Sequence, residues 1–189
     1  MMIFDYTPFQ LKDEYFDHPS TVHGINHTYR VMYHVLNIGK SAGLNQEVQL
    51  AFCAAFIHDM SRLHDGYCTE HGGWAAKNKL PEFKSLFHNS GVSRFGIRAI
   101  KLAVSNHSIR FEIATTNPYY KTVALLKDAD ALDRIRIGEN NLKIEYLRYP
   151  ETIEFVDFAK QLYYKSDHKK LSNFDELVKI ATDLGQPVV

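Results

Sequence analysis

The sequence predicts an all-α fold, a compact multi-helix bundle, and three observations carry that prediction. Apolar residues recur every three or four positions through most of the 189-residue chain, the period of a helix face rather than of a strand. Residues that cap or open helices, Asn45, Ser93 and the pair Asn117-Pro118, stand where those periodic segments begin. Strand-like alternation is confined to Ile109, Phe111 and Ile113, which read as an extended connection.

Taken in order, the first helix lies between Gly24 and Gly43. Ile25, Tyr29, Met32 and Leu36 are spaced by four, three and four residues and form its apolar face, with His27 and Val31 flanking the stripe. Asn45 opens a second helix running to Asp59. Its later part, Leu50 to Ile57, is apolar on nearly all sides, as a central buried helix should be. Thr69 starts a third that carries His71, Trp74 and Ala75, and Pro81 is expected to stop its continuation, because proline lacks the N–H that the ladder needs. Ser93 caps a fourth, whose stripe Ile97, Ile100, Val104 leads by helical steps to an inward-pointing His107. Asn117-Pro118 opens a fifth through Ile135, and segments at about 152–166 and 174–184 complete the bundle. No repeat or low-complexity linker divides the chain. The length favours one domain over 1–189, with the motif-bearing core at about 20–140 and C-terminal helices at about 151–186.

Composition narrows the function classes. Lys plus Arg and Asp plus Glu number 22 each, so no global field recruits nucleic acid or an anionic membrane surface, and a phosphorylated ligand must be held locally. With 45% hydrophobic residues the chain buries a real core, yet no apolar run approaches the roughly 20 residues that span a bilayer. Two cysteines, Cys53 and Cys68, do not make a secreted disulfide framework, and Met1 to Phe16 lacks a signal-peptide pattern. The expected location is the cytoplasm.

The most informative feature is His58-Asp59, at the end of the second helix's apolar run. An imidazole and a carboxylate leaving a core segment are costly to bury unless something satisfies them, and a divalent metal would. Further candidate ligands are His23 and His27 before the pair, and His71, His107, Asp128 and Asp130 after it. Asp128 and Asp130 lie about 200° apart on a helical wheel and cannot both face one site. Asp130 continues the face of Val123 and Leu126, whereas Asp128 has Leu125 and Leu132 beside it, so the wheel alone leaves the choice open.

The order of these residues resembles the HD-domain metal-dependent phosphohydrolases. Their pattern is a histidine on one helix, an adjacent His-Asp pair on a later one, and a distant aspartate. Here His27 stands in His27-Thr28-Tyr29-Arg30-Val31, the pair is His58-Asp59, and Asp130 stands in Asp128-Ala129-Asp130-Ala131-Leu132-Asp133. The resemblance extends to His23-Gly24, Asp65-Gly66, Glu70-His71-Gly72 and Leu132-Asp133-Arg134. It implies an all-helical fold, a divalent metal at His27, His58, Asp59 and Asp130, and hydrolysis of a phosphate ester.

A metal suits that chemistry because it lowers the pKa of a bound water and polarises phosphoryl oxygens. Manganese, iron, cobalt, nickel, magnesium or zinc are the candidate ions, the six-coordinate metals fitting two imidazoles and two carboxylates better than structural zinc. Arg62, one turn after His58, and Arg134, one turn after Asp130, are the expected phosphate clamps, with His23 and Asp65 as further substrate contacts. Arg30 and Lys127 are read as reserves or ordinary surface charges. Asp59, His71 and His107 are the candidate catalytic groups. The expected substrate is a small phosphorylated molecule, a nucleotide first among them. Alternatives are a two-metal phosphodiesterase using His71 and His107 for a second ion, or a silent metal and nucleotide sensor. A lone histidine between Asn106 and Ser108 favours one ion, since the diesterases of the superfamily carry richer histidine clusters.

Overall fold

The computed structural model describes residues 5–186 and contains no strand among them. Five helices make the body: α1 (Ile25–Ser41), α2 (Gln46–Ile57), α3 (His71–Asn89), α4 (Arg94–Asn106) and α5 (Tyr120–Leu132). A chain of short 3-10 turns follows, the first of them Asp133–Ile137 and the last Pro150–Phe155. Two further helices, α6 (Val156–Ser166) and α7 (Phe174–Asp183), close the described chain.

Helix α2 is the axis of the molecule, and its sequence explains why. Nine of its twelve residues are buried, Val48 and Leu50 to Ile57, so it has no polar face to show water. It packs against α1, α4 and α5, while α3 lies on α4, and α6 and α7 lie across α1. Phe9, from the segment before α1, is fully buried among Phe52, Phe56 and Phe87, whose rings meet it at 5.3, 5.5 and 6.2 Å. Aromatic pairs at such separations add to the area they bury.

Local signals fix most of the boundaries. Ser93 caps α4, its Oγ accepting from Gly96 N at 3.1 Å. Asn45 occupies the cap position of α2 without its side chain bonding there. Asn117 makes a turn in which its Oδ1 accepts from Tyr119 N, and α5 starts just after it, at Tyr120. The third helix begins at His71 rather than Thr69.

Pro81 does not stop it. Helix α3 runs through that residue to Asn89. A proline inside a helix forfeits a hydrogen bond and costs about 3 kcal/mol. Beyond it, however, Phe83 and Phe87 are buried in the core, and each such ring recovers about 2 kcal/mol or more. Continuing the helix is what seats them. The fifth helix departs from expectation in the other sense, leaving α geometry after Leu132 and tightening into the 3-10 turn Asp133–Ile137.

Candidate metal centre

The bundle brings four helix ends and one helix interior to a single point. Helix α1 presents His27 in its first turn, with His23 just ahead of it. Helix α2 ends at Ile57 and releases His58 and Asp59, and α3 begins with His71. Helix α4 is closed by His107, and α5 contributes Asp130 from within. His27, His58 and Asp59 are 0%, 0% and 4% exposed, so whatever satisfies them must lie inside the protein.

Hydrogen-bond roles show what that must be. The Nδ1 of His58 lies 2.7 Å from the Ala55 carbonyl, which only accepts, so Nδ1 carries the proton and Nε2 is a bare lone pair. His107 is locked the same way by the Val104 carbonyl at 2.7 Å. At His27 the lock is the Asp133 carboxylate, 2.7 Å from Nδ1. Yet the Nε2 atoms of His27 and His58 are 3.1 Å apart, with Asp59 Oδ2 at 3.3 Å and Asp130 Oδ1 at 3.4 Å from the former. That Asp130 oxygen is buried with no hydrogen-bond partner. Two lone pairs and two carboxylate oxygens therefore converge, and apart from the His23 N–H on Asp59 Oδ2 no hydrogen bond from the described residues reaches them, which repels unless a cation sits between. The donor atoms of His27, His58 and Asp130 lie within 4.8 Å of one another, as do those of His23, His27 and Asp59. The set is able to hold a divalent ion, and the orienting bonds to Nδ1 are those that metal-binding histidines make.

Electrostatics point the same way. Burial pushes the His58 imidazole down to about 3, so at neutral pH it is uncharged. Burial raises the Asp59 carboxyl, but the surrounding imidazoles, His58 first, outweigh that and hold it well below the usual carboxylate range. Asp130 is likewise pushed down to about 2: burial opposes ionisation, and Arg136 leads the groups that overcome it. The two ionised carboxylates have Arg136 and Arg62 at 3.5 and 3.7 Å, while the neutral imidazole of His58 adds no charge to offset them.

The second oxygen of Asp59 faces a different pair. His71 Nε2 lies 2.9 Å from Oδ1 and His107 Nε2 lies 3.5 Å from it, and the two nitrogens are 2.9 Å apart. Here a proton can do the work. Arg62, 7% exposed, places NH1 3.2 Å from His71 Nδ1 and 3.3 Å from Nε2, over the ring, and with its proton on Nε2 His71 donates to Asp59 Oδ1. The other tautomer would give Nδ1 to the Cys68 carbonyl at 3.1 Å and leave Nε2 as a ligand. This half is satisfied without an ion and compatible with one.

The expected arginine clamps divide. Arg62 stands beside the centre, NH1 3.7 Å from Asp59 Oδ1 and NH2 donating to the Gly66 carbonyl. Arg134 is exposed, and its Nε donates to the Asn141 carbonyl. Arg136 reaches the centre instead: its side chain is 6% exposed, with NH2 3.5 Å from Asp130 Oδ1 and 3.3 Å from His23 Nδ1. The cause is the 3-10 turn, whose three-residue period puts Asp133 and Arg136 on one face. A helical wheel extended through Ile135 misplaces both arginines. His23 itself is buried and donates from Nδ1 to Asp59 Oδ2 at 2.8 Å.

Behind His27 runs a buried chain the sequence reading treated as reserve charge. Arg30 is fully buried and grips Asp133 with Nε and NH2 at 2.6 and 3.1 Å. The Asp133 carboxyl, which burial alone would raise, is held far below its ordinary value by Arg30 and His27. Lys127 is also buried rather than on the surface, donating to the Phe111 carbonyl and Glu112. Asp128 resolves the wheel's ambiguity. It faces away from the centre and accepts from Arg148 N, Arg148 NH1, Tyr149 N and Thr152 Oγ1 at 2.8 to 3.0 Å, anchoring the segment before α6. Asp65 bonds Ser20 Oγ and tethers one loop to another; its side chain, 44% exposed, faces no group of the centre. Both cysteines are free thiols, and no described helix is long and apolar enough to cross a membrane.

A family model described as HD domain matches residues 24–135. Comparisons with curated proteins and with solved structures gave no match.

Proposed function

The chain belongs to the HD-domain family, and on that premise we propose that it is a metal-dependent phosphohydrolase cleaving a phosphate ester of a small molecule, a nucleotide first among the candidates. The observation that carries the reading is the acceptor-only convergence of His27 Nε2, His58 Nε2, Asp59 Oδ2 and Asp130 Oδ1. These four would hold the ion. A divalent metal bound there supplies a water of lowered pKa and polarises the phosphoryl oxygens. Arg62, beside Asp59, and Arg136, beside Asp130, would neutralise the anionic substrate. In its Nε2–H tautomer His71 would offer a proton to a departing oxygen.

Hydrolysis of a panel of nucleotides, phosphomonoesters and phosphodiesters by protein supplied with manganese, iron, cobalt or nickel tests this. Phosphate release that disappears in Asp59→Ala is the expected result. Metal-loaded protein that turns over nothing on the panel would leave the silent-sensor reading.

One observation favours a second reading, a two-metal phosphodiesterase. His71 Nε2 and His107 Nε2 flank Asp59 Oδ1, and these residues would hold a second ion. Preference for diesters over matched monoesters, with a second ion lost in His107→Ala, would select it.

A further inference from the structure

Outside the metal centre, the structure contains a cleft of about 660 Å³, within the roughly 300–1,000 Å³ range of small-molecule sites. It is walled by the segment ahead of α1, the start of α1, Arg136, and the end of α6 with the loop after it. Of its lining, only Gly24, Ile25 and Asn26 fall within the family match. The rest of the lining lies outside the matched residues.

Charge and shape define what fits. Two carboxylates line the cleft: Asp13 pairs with Lys170, and Asp167 lies 3.3 Å from Arg30, whose one charge it shares with Asp133. Lys169 lines it too and has no carboxylate partner among the described residues. Arg136 forms part of the wall and also reaches Asp130, whose charge is shared once an ion is bound. Among the side chains that line the cleft, three cations, Arg136, Lys169 and Lys170, stand against two carboxylates, Asp13 and Asp167, so the wall itself carries a positive excess. Phe16 and Tyr163, both partly buried, are the aromatic residues of the same wall, the Tyr163 ring held by the Arg30 guanidinium 5.0 Å from its centre. Cations for an anion beside faces for a planar group are the recognition elements of a phosphorylated aromatic compound such as a nucleotide.

We propose that this cleft is a second ligand site, which takes a phosphorylated small molecule with its phosphate on Lys169 and Arg136 and its planar part against Phe16 and Tyr163. The shared Arg136 links it to the metal centre. The proposal does not rest on the catalytic reading, because the cleft contains none of the four metal-binding side chains.

The test is hydrogen exchange on the full-length, metal-supplied protein titrated with adenosine 5′-methylenediphosphate, a nucleotide whose phosphorus–phosphorus bridge resists hydrolysis, its 5′ ester shown intact at the end of the titration. Saturable protection of residues 13–26 and 163–170, with the dissociation constant about tenfold weaker in Lys169→Glu, is expected. Lys169 is exposed, so that variant keeps the fold. No protection of these segments, or equal protection in Lys169→Glu, would overturn the proposal, whether or not the protein hydrolyses anything. Two further arms identify the source of the ligand. If the cleft holds the distal phosphate of the substrate, Lys169→Glu raises KM for nucleoside diphosphates and leaves that for monophosphates unchanged. If it holds a separate effector, the methylene analogue alters monophosphate turnover saturably, and Lys169→Glu abolishes the effect.

Discussion

Arg136 and Arg134 differ by two positions and by their whole environment. The first is buried against Asp130 and His23; the second lies in solvent on the Asn141 carbonyl. Arg136→Ala should therefore lower turnover by about 10- to 100-fold, as loss of a group orienting a metal site does. Arg134→Ala should stay within about twofold, as surface substitutions do. Steady-state kinetics on the two variants decides it, and equal effects would remove Arg136 from its assigned place. At this scale the sequence was legible where an α-helix continued and illegible where it did not. The ordered set of His27, His58, Asp59 and Asp130 could be written down from motif order. Arg136 could not, since a three-residue period was needed to bring it inward, and the stop at Gly138 was the only local sign of it. Arg30 was equally hidden, because a charged residue on a helix is ordinarily solvated, and only its partner Asp133, far away in sequence, makes burial tolerable.

Between elements, the contact that matters most to the site is α3 against α4. Gly72, directly after His71, faces the Val104 carbonyl so closely that a Cβ there would clash with it, and would stand 3.0 Å from His107 Nδ1. Gly72→Ala must push the helices apart, at a cost of about 1–3 kcal/mol, and the first group displaced is the His107 ring with its bond to Val104. Denaturant unfolding should show that loss, accompanied by reduced turnover. Unchanged stability would mean the helices are not in close register. Helix existence was readable from periodicity throughout, but α3 exposes the weakness of local rules. Pro81 is a stop signal by itself, and only the burial of Phe83 and Phe87 against distant partners overrides it.

For the molecule as a whole, the buried imidazoles set the response to acid. His34 is fully buried with neither ring nitrogen bonded, and burial pushes it from 6.5 down to about 4. The unfolded chain binds this proton below pH 6.5 while the folded one does not until about 4. Stability is thus complete above that window and lost as pH falls through it. Between pH 7 and 5 His34 alone should cost about 2 kcal/mol, a loss that His34→Leu should not suffer. Urea midpoints for the two proteins at both pH values, in the same metal state, check this, and parallel declines would contradict it. His58, at about 3, extends the same trend in metal-free protein, and Asp130 adds its own loss as pH falls from 3.8 towards about 2.

The cluster of imidazole lone pairs and carboxylate oxygens at the end of α2 calls for a cation. The most direct test is the metal content of the protein after mild desalting, beside that of Asp59→Ala and His107→Ala. The account predicts about one tightly held divalent ion per chain, absent from Asp59→Ala and retained by His107→Ala, with helical circular dichroism preserved in all three. A protein that takes up no manganese, iron, cobalt, nickel, magnesium or zinc when these are supplied, or that keeps its ion undiminished in Asp59→Ala, would contradict it.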